Sequence, residues 1–204
     1  MSRPGAIFIS IEGVDAVGKR TQTSLLKSWL GAQGLSVSTL SFPAYGTAIG
    51  KQIHSFLAGA VSYPPQVRAM LYAANRWEMK AELEATLSRS DATIVDRYIG
   101  SNLAYGVASG LGLDWLRALD SGLPEPDVTL VLDAPLVKTM PRRGGMKDSY
   151  EGDAHLQEMA RNAYLELAKK FGWIVVDASQ GIEEVSHSIR SAVSRVMNTR
   201  GRTI

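Results

Sequence analysis

The stretch Gly13-Val14-Asp15-Ala16-Val17-Gly18-Lys19-Arg20-Thr21 decides the fold. It follows an apolar run, Ala6 to Ile11, and opens a segment that carries Leu25, Leu26, Trp29 and Leu30 at helical spacing as far as Gly34. A strand that turns through glycines into a helix builds an anion cradle. The glycines let successive backbone N–H groups face inward, and the helix N-terminus adds partial positive charge. Lys19, at the helix start, would reach the outer phosphates of a nucleoside triphosphate. The spacing departs by one residue from G-x-x-x-x-G-K-[ST]: Arg20 stands where the hydroxyl belongs and Thr21 follows it. Gly13 through Thr21 are therefore the candidate triphosphate-binding residues, with Thr21 left as the nearest hydroxyl for magnesium. The competing dinucleotide fingerprint, G-x-G-x-x-G, is absent.

Working outward, further runs rich in Val, Ile, Leu and Thr recur at Leu35 to Phe42, Ala92 to Val95, Val128 to Leu132 and Trp173 to Val176. With Ala6 to Ile11 they read as five strands, apolar on successive residues as if covered on both faces, and separated by lengths that suit crossover helices. This pattern predicts an α/β fold with a five-stranded parallel sheet flanked by helices on both faces. A second helix is expected from Pro64-Pro65 toward Ser90, with Val67, Met70, Leu71, Ala74, Trp77 and Ala81 on one face, and the last two near Asp153 to Lys170 and Ile182 to Asn198. No linker or repeat divides residues 1–204, so a single domain is expected.

Composition narrows the chemistry. The chain has 204 residues, 45% hydrophobic and 21% charged, with a formal charge of +2, too balanced for its overall field to announce a nucleic-acid or membrane surface. Zero Cys excludes disulfides, thiolate nucleophiles and sulfur-bound zinc, which suits a reducing cytoplasm. The N-terminal run is far shorter than the ~20 residues that span a bilayer, so neither a signal peptide nor a membrane helix is expected. His54, His155 and His187 show no metal-ligand spacing.

A second half of the site is readable around residue 96. Asp96 closes the third strand and would hold magnesium, although Asp133 and Asp177 end strands in the same way. Arg97, Tyr98, Ser101, Asn102 and Tyr105 follow it, spaced to share one face if a helix starts there. Upstream, Tyr72 and Arg76 stand four apart on a helix and offer a ring for stacking and a planar donor fork, which suit a nucleobase.

Together the pieces Phe42-Pro43-x-Tyr45, Leu71 to Glu78 (LYAANRWE), Val95-Asp96-Arg97-Tyr98 with Ser101-Asn102, and Asp148-Ser149-Tyr150-Glu151 resemble the signatures of thymidylate kinases, in that family's order around the phosphate loop. The resemblance implies a P-loop NTPase fold that transfers the γ-phosphate of ATP to dTMP, giving dTDP, with Mg2+ and as a homodimer. It implies roles for single residues. Tyr72 stacks on thymine under Phe42, Arg76 donates to a base carbonyl, and Ser101 and Asn102 lie near the acceptor. Arg97 holds the dTMP phosphate. Asp15 touches the deoxyribose or the metal shell, and Tyr105 crowds the place of a 2′-hydroxyl. Tyr150 belongs to a mobile lid at about residues 141–152. The family supplies its catalytic arginine from the phosphate loop or from the lid; Ala16 fills the loop position here, so Arg142 or Arg143 is implied. Two departures stand out. Ala44 replaces a charged residue common in relatives, and Arg20 lies beside the phosphates. The alternatives are another deoxynucleotide or deoxynucleoside kinase, or a non-catalytic P-loop binding module.

Overall fold

The computed structural model describes residues 6–136, 153–199 and 201. Five strands form one sheet: β1 (Ile7–Glu12), β2 (Val37–Ser41), β3 (Ala92–Asp96), β4 (Val128–Asp133) and β5 (Ile174–Asp177). Their order is β2-β3-β1-β4-β5 and every pairing is parallel. The helices are α1 (Lys19–Ala32), α2 (Ala48–Leu57), α3 (Pro65–Glu78), α4 (Lys80–Arg89), α5 (Ile99–Ala108), α6 (Leu113–Leu119), α7 (Ala154–Phe171) and α8 (Ile182–Thr199). The chain passes from β1 to β2, returns to β3, and then crosses to β4 on the other side. The strand order reverses at β1, so the carboxyl ends of β1 and β3 open a crevice, the place where open α/β sheets bind ligands.

The inner strands match the apolar runs. Every residue of β1 is buried, and in β3 only Asp96 is less than buried. The edge strands differ from the expectation of cover on both faces: β2 has no buried residue and β5 only Val176. Each has a neighbouring strand on one side only.

The expected helix from Pro64 to Ser90 is two helices, parted at Met79 (φ −93°, ψ 1°). The bend turns α4 onto a small core in which Leu83 joins Phe8, Phe42, Val95 and Tyr98. The buried face of α3 also differs from the apolar stripe: Met70 (44%) and Trp77 (40%) are exposed, while Ala69, Ala73, Asn75 and Arg76 are buried. Helix α3 faces a polar pocket and another helix at close range, so small and hydrogen-bonding side chains sit inward. Helix α2, capped by Thr47, whose Oγ1 accepts from Gly50 N at 3.0 Å, carries Ile53, Phe56 and Leu57 inward. The lid expected at about 141–152, with Arg142, Arg143 and Tyr150, lies outside the described residues.

Candidate active site

The loop after β1 has the conformation that its glycines suggest. Gly13 (φ 133°), Ala16 (φ 60°) and Gly18 (φ 101°) all lie at positive φ, and Lys19 begins α1. A Cβ on Gly13 would stand 2.5 Å from the Leu132 carbonyl oxygen, so the loop lies directly on β4. Lys19 is buried, and its Nζ donates to Val14 O at 2.7 Å across the cradle. Burial, then repulsion from Arg97, pushes its ammonium down to about 8 against the pull of Asp15, Asp96 and Glu12. Arg20 and Thr21 are both exposed on α1.

Beside the loop, Arg97 turns the chain from β3 into α5. It is held in the left-handed region (φ 62°), a conformation that costs a non-glycine residue of order 1 kcal/mol, while its N–H donates to Ile11 O at 2.9 Å. This turn sends its guanidinium back over the loop. Nη1 donates to Gly13 O (3.1 Å) and Ser101 Oγ (3.2 Å), and Nη2 pairs with Asp15 Oδ1. Burial alone would lower the Arg97 pKa, but Asp15 and the neighbouring acidic groups raise it well above its ordinary value. Burial would likewise push Asp15 up. Arg97 and Lys19, with hydrogen bonds from Gln157 and Tyr105, outweigh it and hold the carboxyl at about 2.

Asp15 opens onto a cavity lined on one side by Phe42, Pro43, Tyr45 and Leu57, on another by Arg68, Ala69, Tyr72 and Arg76 of α3, and on a third by Arg97, Tyr98, Ser101, Asn102 and Tyr105. The acceptor candidates read from the sequence within the described residues thus line one space that touches the phosphate loop. Arg76 is fixed there by a buried bidentate pair, Nε and Nη2 each 2.8 Å from the Asp120 carboxylate. Asn102 Nδ2 donates to Ala69 O at 3.3 Å, tying α5 to α3. Asp96 ends β3 with its Oδ1 enclosed and without a hydrogen-bond partner.

Four contributors were not singled out in the sequence. Glu12, wholly buried at the end of β1, accepts from Ser10 Oγ (3.0 Å), Tyr98 N (2.9 Å), Ser101 Oγ (2.6 Å) and Tyr164 OH (3.3 Å). A Cβ on Gly100 would meet its carboxylate at 2.9 Å, so glycine lets α5 approach. Asn75 accepts from Ala44 N (2.8 Å) and donates to Thr47 Oγ1 (2.9 Å), holding the loop that carries Phe42 and Tyr45. Gln157 reaches Asp15 from α7, and Arg68 lines the cavity over the Phe56 ring, 5.6 Å from its centroid. A carboxylate inside an apolar strand and a glutamine in register with Ala160, Tyr164 and Leu167 were the available signals.

Comparisons with known proteins point to one family. The family model described as Thymidylate kinase matches residues 11–189. The chain is 36% identical over 192 residues to thymidylate kinase of Homo sapiens, an alignment covering 93% of this chain and 90% of the human one. It is 35% identical over 196 residues to that of Schizosaccharomyces pombe, covering 93% and 92%. The solved structure of thymidylate kinase from Candida albicans superposes with a TM-score of 0.84 at 30% identity, covering 97% of this chain and 94% of that one.

Proposed function

The chain belongs to the thymidylate kinase family, and from that premise we propose how its site divides the work of moving the γ-phosphate of ATP to dTMP. ATP is the donor and lies on the loop Gly13–Thr21, its outer phosphates on the backbone N–H groups and on Lys19, which exchanges Val14 O for phosphate oxygen. dTMP fills the adjoining cavity. Tyr72 stacks on thymine against Phe42, and Arg76, its Nε and Nη2 held by Asp120, offers the Nη1 edge to a base carbonyl. Asn102 and Ser101 face the pyrimidine and sugar, and Tyr105 occupies the space of a 2′-hydroxyl. Asp15 accepts from the deoxyribose, and Arg97 takes the 5′-phosphate. The observation that carries this reading is a single cavity in which Tyr72, Arg76 and Arg97 meet Asp15 of the phosphate loop.

Phosphoryl transfer asks the protein for alignment and positive charge. Lys19 and Arg97 supply charge from the described residues, and Arg142 or Arg143 supplies the part that Ala16 does not. Mg2+ suits the donor set. Among the described residues no three carboxylate or imidazole groups cluster, and Asp96 Oδ1 is an enclosed carboxylate oxygen without a hydrogen-bond partner, which a hard cation would satisfy. An ion held by one or two carboxylates, phosphates and water is what magnesium favours. When bound, it neutralises charge on the phosphates. We also read the protein as a cytoplasmic homodimer acting on small molecules without nucleic acid or membrane. Exposed Met70, Trp77 and Trp115 on α3 and α6 are the apolar surface that a second copy would cover. No helix among the described residues is long and apolar enough to cross a membrane.

Steady-state ADP release with dTMP, dUMP, dCMP and thymidine tests the assignment. The expected result is transfer to dTMP, with Arg97→Met raising the KM for dTMP and leaving that for ATP within twofold. Phosphorylation of thymidine but not dTMP would refute the role of Arg97.

A further inference from the structure

Asp15 is gripped twice by one residue that lies 142 positions away. Its backbone N–H donates to Gln157 Oε1 at 3.2 Å, and Gln157 Nε2 donates to its Oδ2 at 2.7 Å. Gln157 is wholly buried, on the inner face of α7, so its amide has little choice of partner. Tyr105 OH stands 3.2 Å from Asp15 Oδ2 and 3.3 Å from Gln157 Oε1, and its single proton serves one of them at a time. Arg97 pairs with the other carboxylate oxygen, Oδ1.

This arrangement can be read by counting. A carboxylate offers about four lone-pair sites. Arg97 and Gln157 fill two, Tyr105 fills a third when its proton points to Oδ2, and one is left for a hydroxyl of the ligand. An amide is the side chain that can hold both the N–H and the carboxylate of one residue, since it carries an acceptor and a donor. A carboxylate in its place would face Asp15 with like charge, and an aliphatic chain would leave the Asp15 N–H without this acceptor and its Oδ2 with Tyr105 alone. Asp15 also lies between Gly13 and Ala16, both at positive φ.

We propose that Gln157 is the positioning residue of the acceptor site, fixing the Asp15 carboxylate so that one lone pair meets a sugar hydroxyl of the acceptor nucleotide. It acts on the acceptor through Asp15, and it rests on the reading of Asp15 as a sugar-contacting group.

Two variants test this role. Gln157→Leu removes both bonds and should raise the KM for dTMP about tenfold or more, as loss of a hydrogen bond to a charged group does, with the KM for ATP within twofold. Gln157→Glu gives a sharper signature. Its ionised form repels Asp15, but its protonated form has an O–H for Asp15 Oδ2 and a carbonyl for Asp15 N–H. Arg97, Lys19 and Tyr105 act on Asp15 directly, Tyr164, Asp96 and Glu12 act on those cations, and the cations keep Asp15 ionised while position 157 takes the proton. The variant's kcat/KM for dTMP should therefore be low at pH 8 and climb toward the wild-type value as pH falls to about 5.5, whereas the wild-type enzyme shows no acid-side rise. A merely structural role predicts an equal loss at every pH, or KM values for ATP and dTMP that rise together, and either result would overturn the proposal. So would wild-type kinetics in both variants. Thermal melting of each variant checks folding, and if Gln157→Leu fails to fold, the pH profile of Gln157→Glu still decides. Failure of the underlying reading would look different: removal of the dTMP sugar hydroxyl would leave wild-type affinity unchanged.

Discussion

Replacement of Asp120 by Asn puts the acceptor pocket's charge arrangement to a quantitative test. The Arg76–Asp120 pair joins α3 to the end of α6 through two 2.8 Å bonds, and both side chains are only 2% exposed. Water therefore screens it little, and loss of one charge strands the other in the interior. Breaking such a pair costs about 3 to 5 kcal/mol. Asn keeps one acceptor oxygen, so the lower figure, about 3 kcal/mol, is the one to expect. For a chain of this size each kcal/mol shifts the melting midpoint by roughly 2 to 4 °C, giving a fall of about 6 to 12 °C. Calorimetry or circular dichroism would measure it. The double variant Arg76→Met with Asp120→Leu removes both charges and should recover at least half of that stability, yet its KM for dTMP should stay high because no guanidinium reaches the base. Stability and acceptor affinity would thus separate. A melting shift under about 2 °C for the single variant would refute the buried-pair reasoning, and a normal KM for dTMP in the double variant would refute the role of Arg76.

Three further outcomes follow from the loop. Lys19, pushed down to about 8, should lose its proton in the nucleotide-free enzyme as pH rises past that value, so kcat/KM for ATP should decline above about pH 8 while that of a variant lacking Lys19 stays flat; a wild-type profile flat to pH 10 would sink this. The same depression means that the folded chain binds this proton less tightly than the unfolded one, so Lys19 contributes stability that grows with pH between about 8 and its ordinary value of 10.5. Gly13→Ala places a Cβ 2.5 Å from Leu132 O at φ 133°, which a short loop cannot relieve. It should cost about 2 kcal/mol or more and reduce ATP affinity at least tenfold by isothermal titration; near-native binding would show that the loop gives way easily.

Much of this architecture was legible in the linear chain, for reasons that particular residues show. Gly13 and Gly18 are punctuation that only a turning backbone needs, and the apolar runs at 7–11 and 92–95 are continuous because both faces are covered. The acceptor residues from Arg97 to Tyr105 were visible because they fall within a single turn and helix. What stayed hidden depends on distance along the chain. Nothing near Arg76 announces Asp120, 44 residues on, and nothing near Asp15 announces Gln157. The outward turn of Met70 and Trp77 was also unreadable, because hydrophobic periodicity marks an apolar face without saying whether that face meets the core or the surface. The break at Met79 lacks both glycine and proline, and packing on Phe8 and Phe42 decides it.

The pairing of β1 with β3 reaches beyond the sheet. Ile11 lies opposite Asp96, and the bond from Arg97 N to Ile11 O continues that ladder into the turn. The sheet therefore serves as a gauge: the interval between the ATP loop and the guanidinium that faces it is set by inter-strand bonds, with no adjustable linker between them. A slip of one residue would turn every β3 side chain to the opposite face and carry Arg97 about 3.3 Å along the strand, away from Gly13. The wholly buried Ile9, Ile11, Ile94 and Val95 make that slip prohibitive, so the packing that hides these aliphatic chains also meters the gap across which phosphate passes.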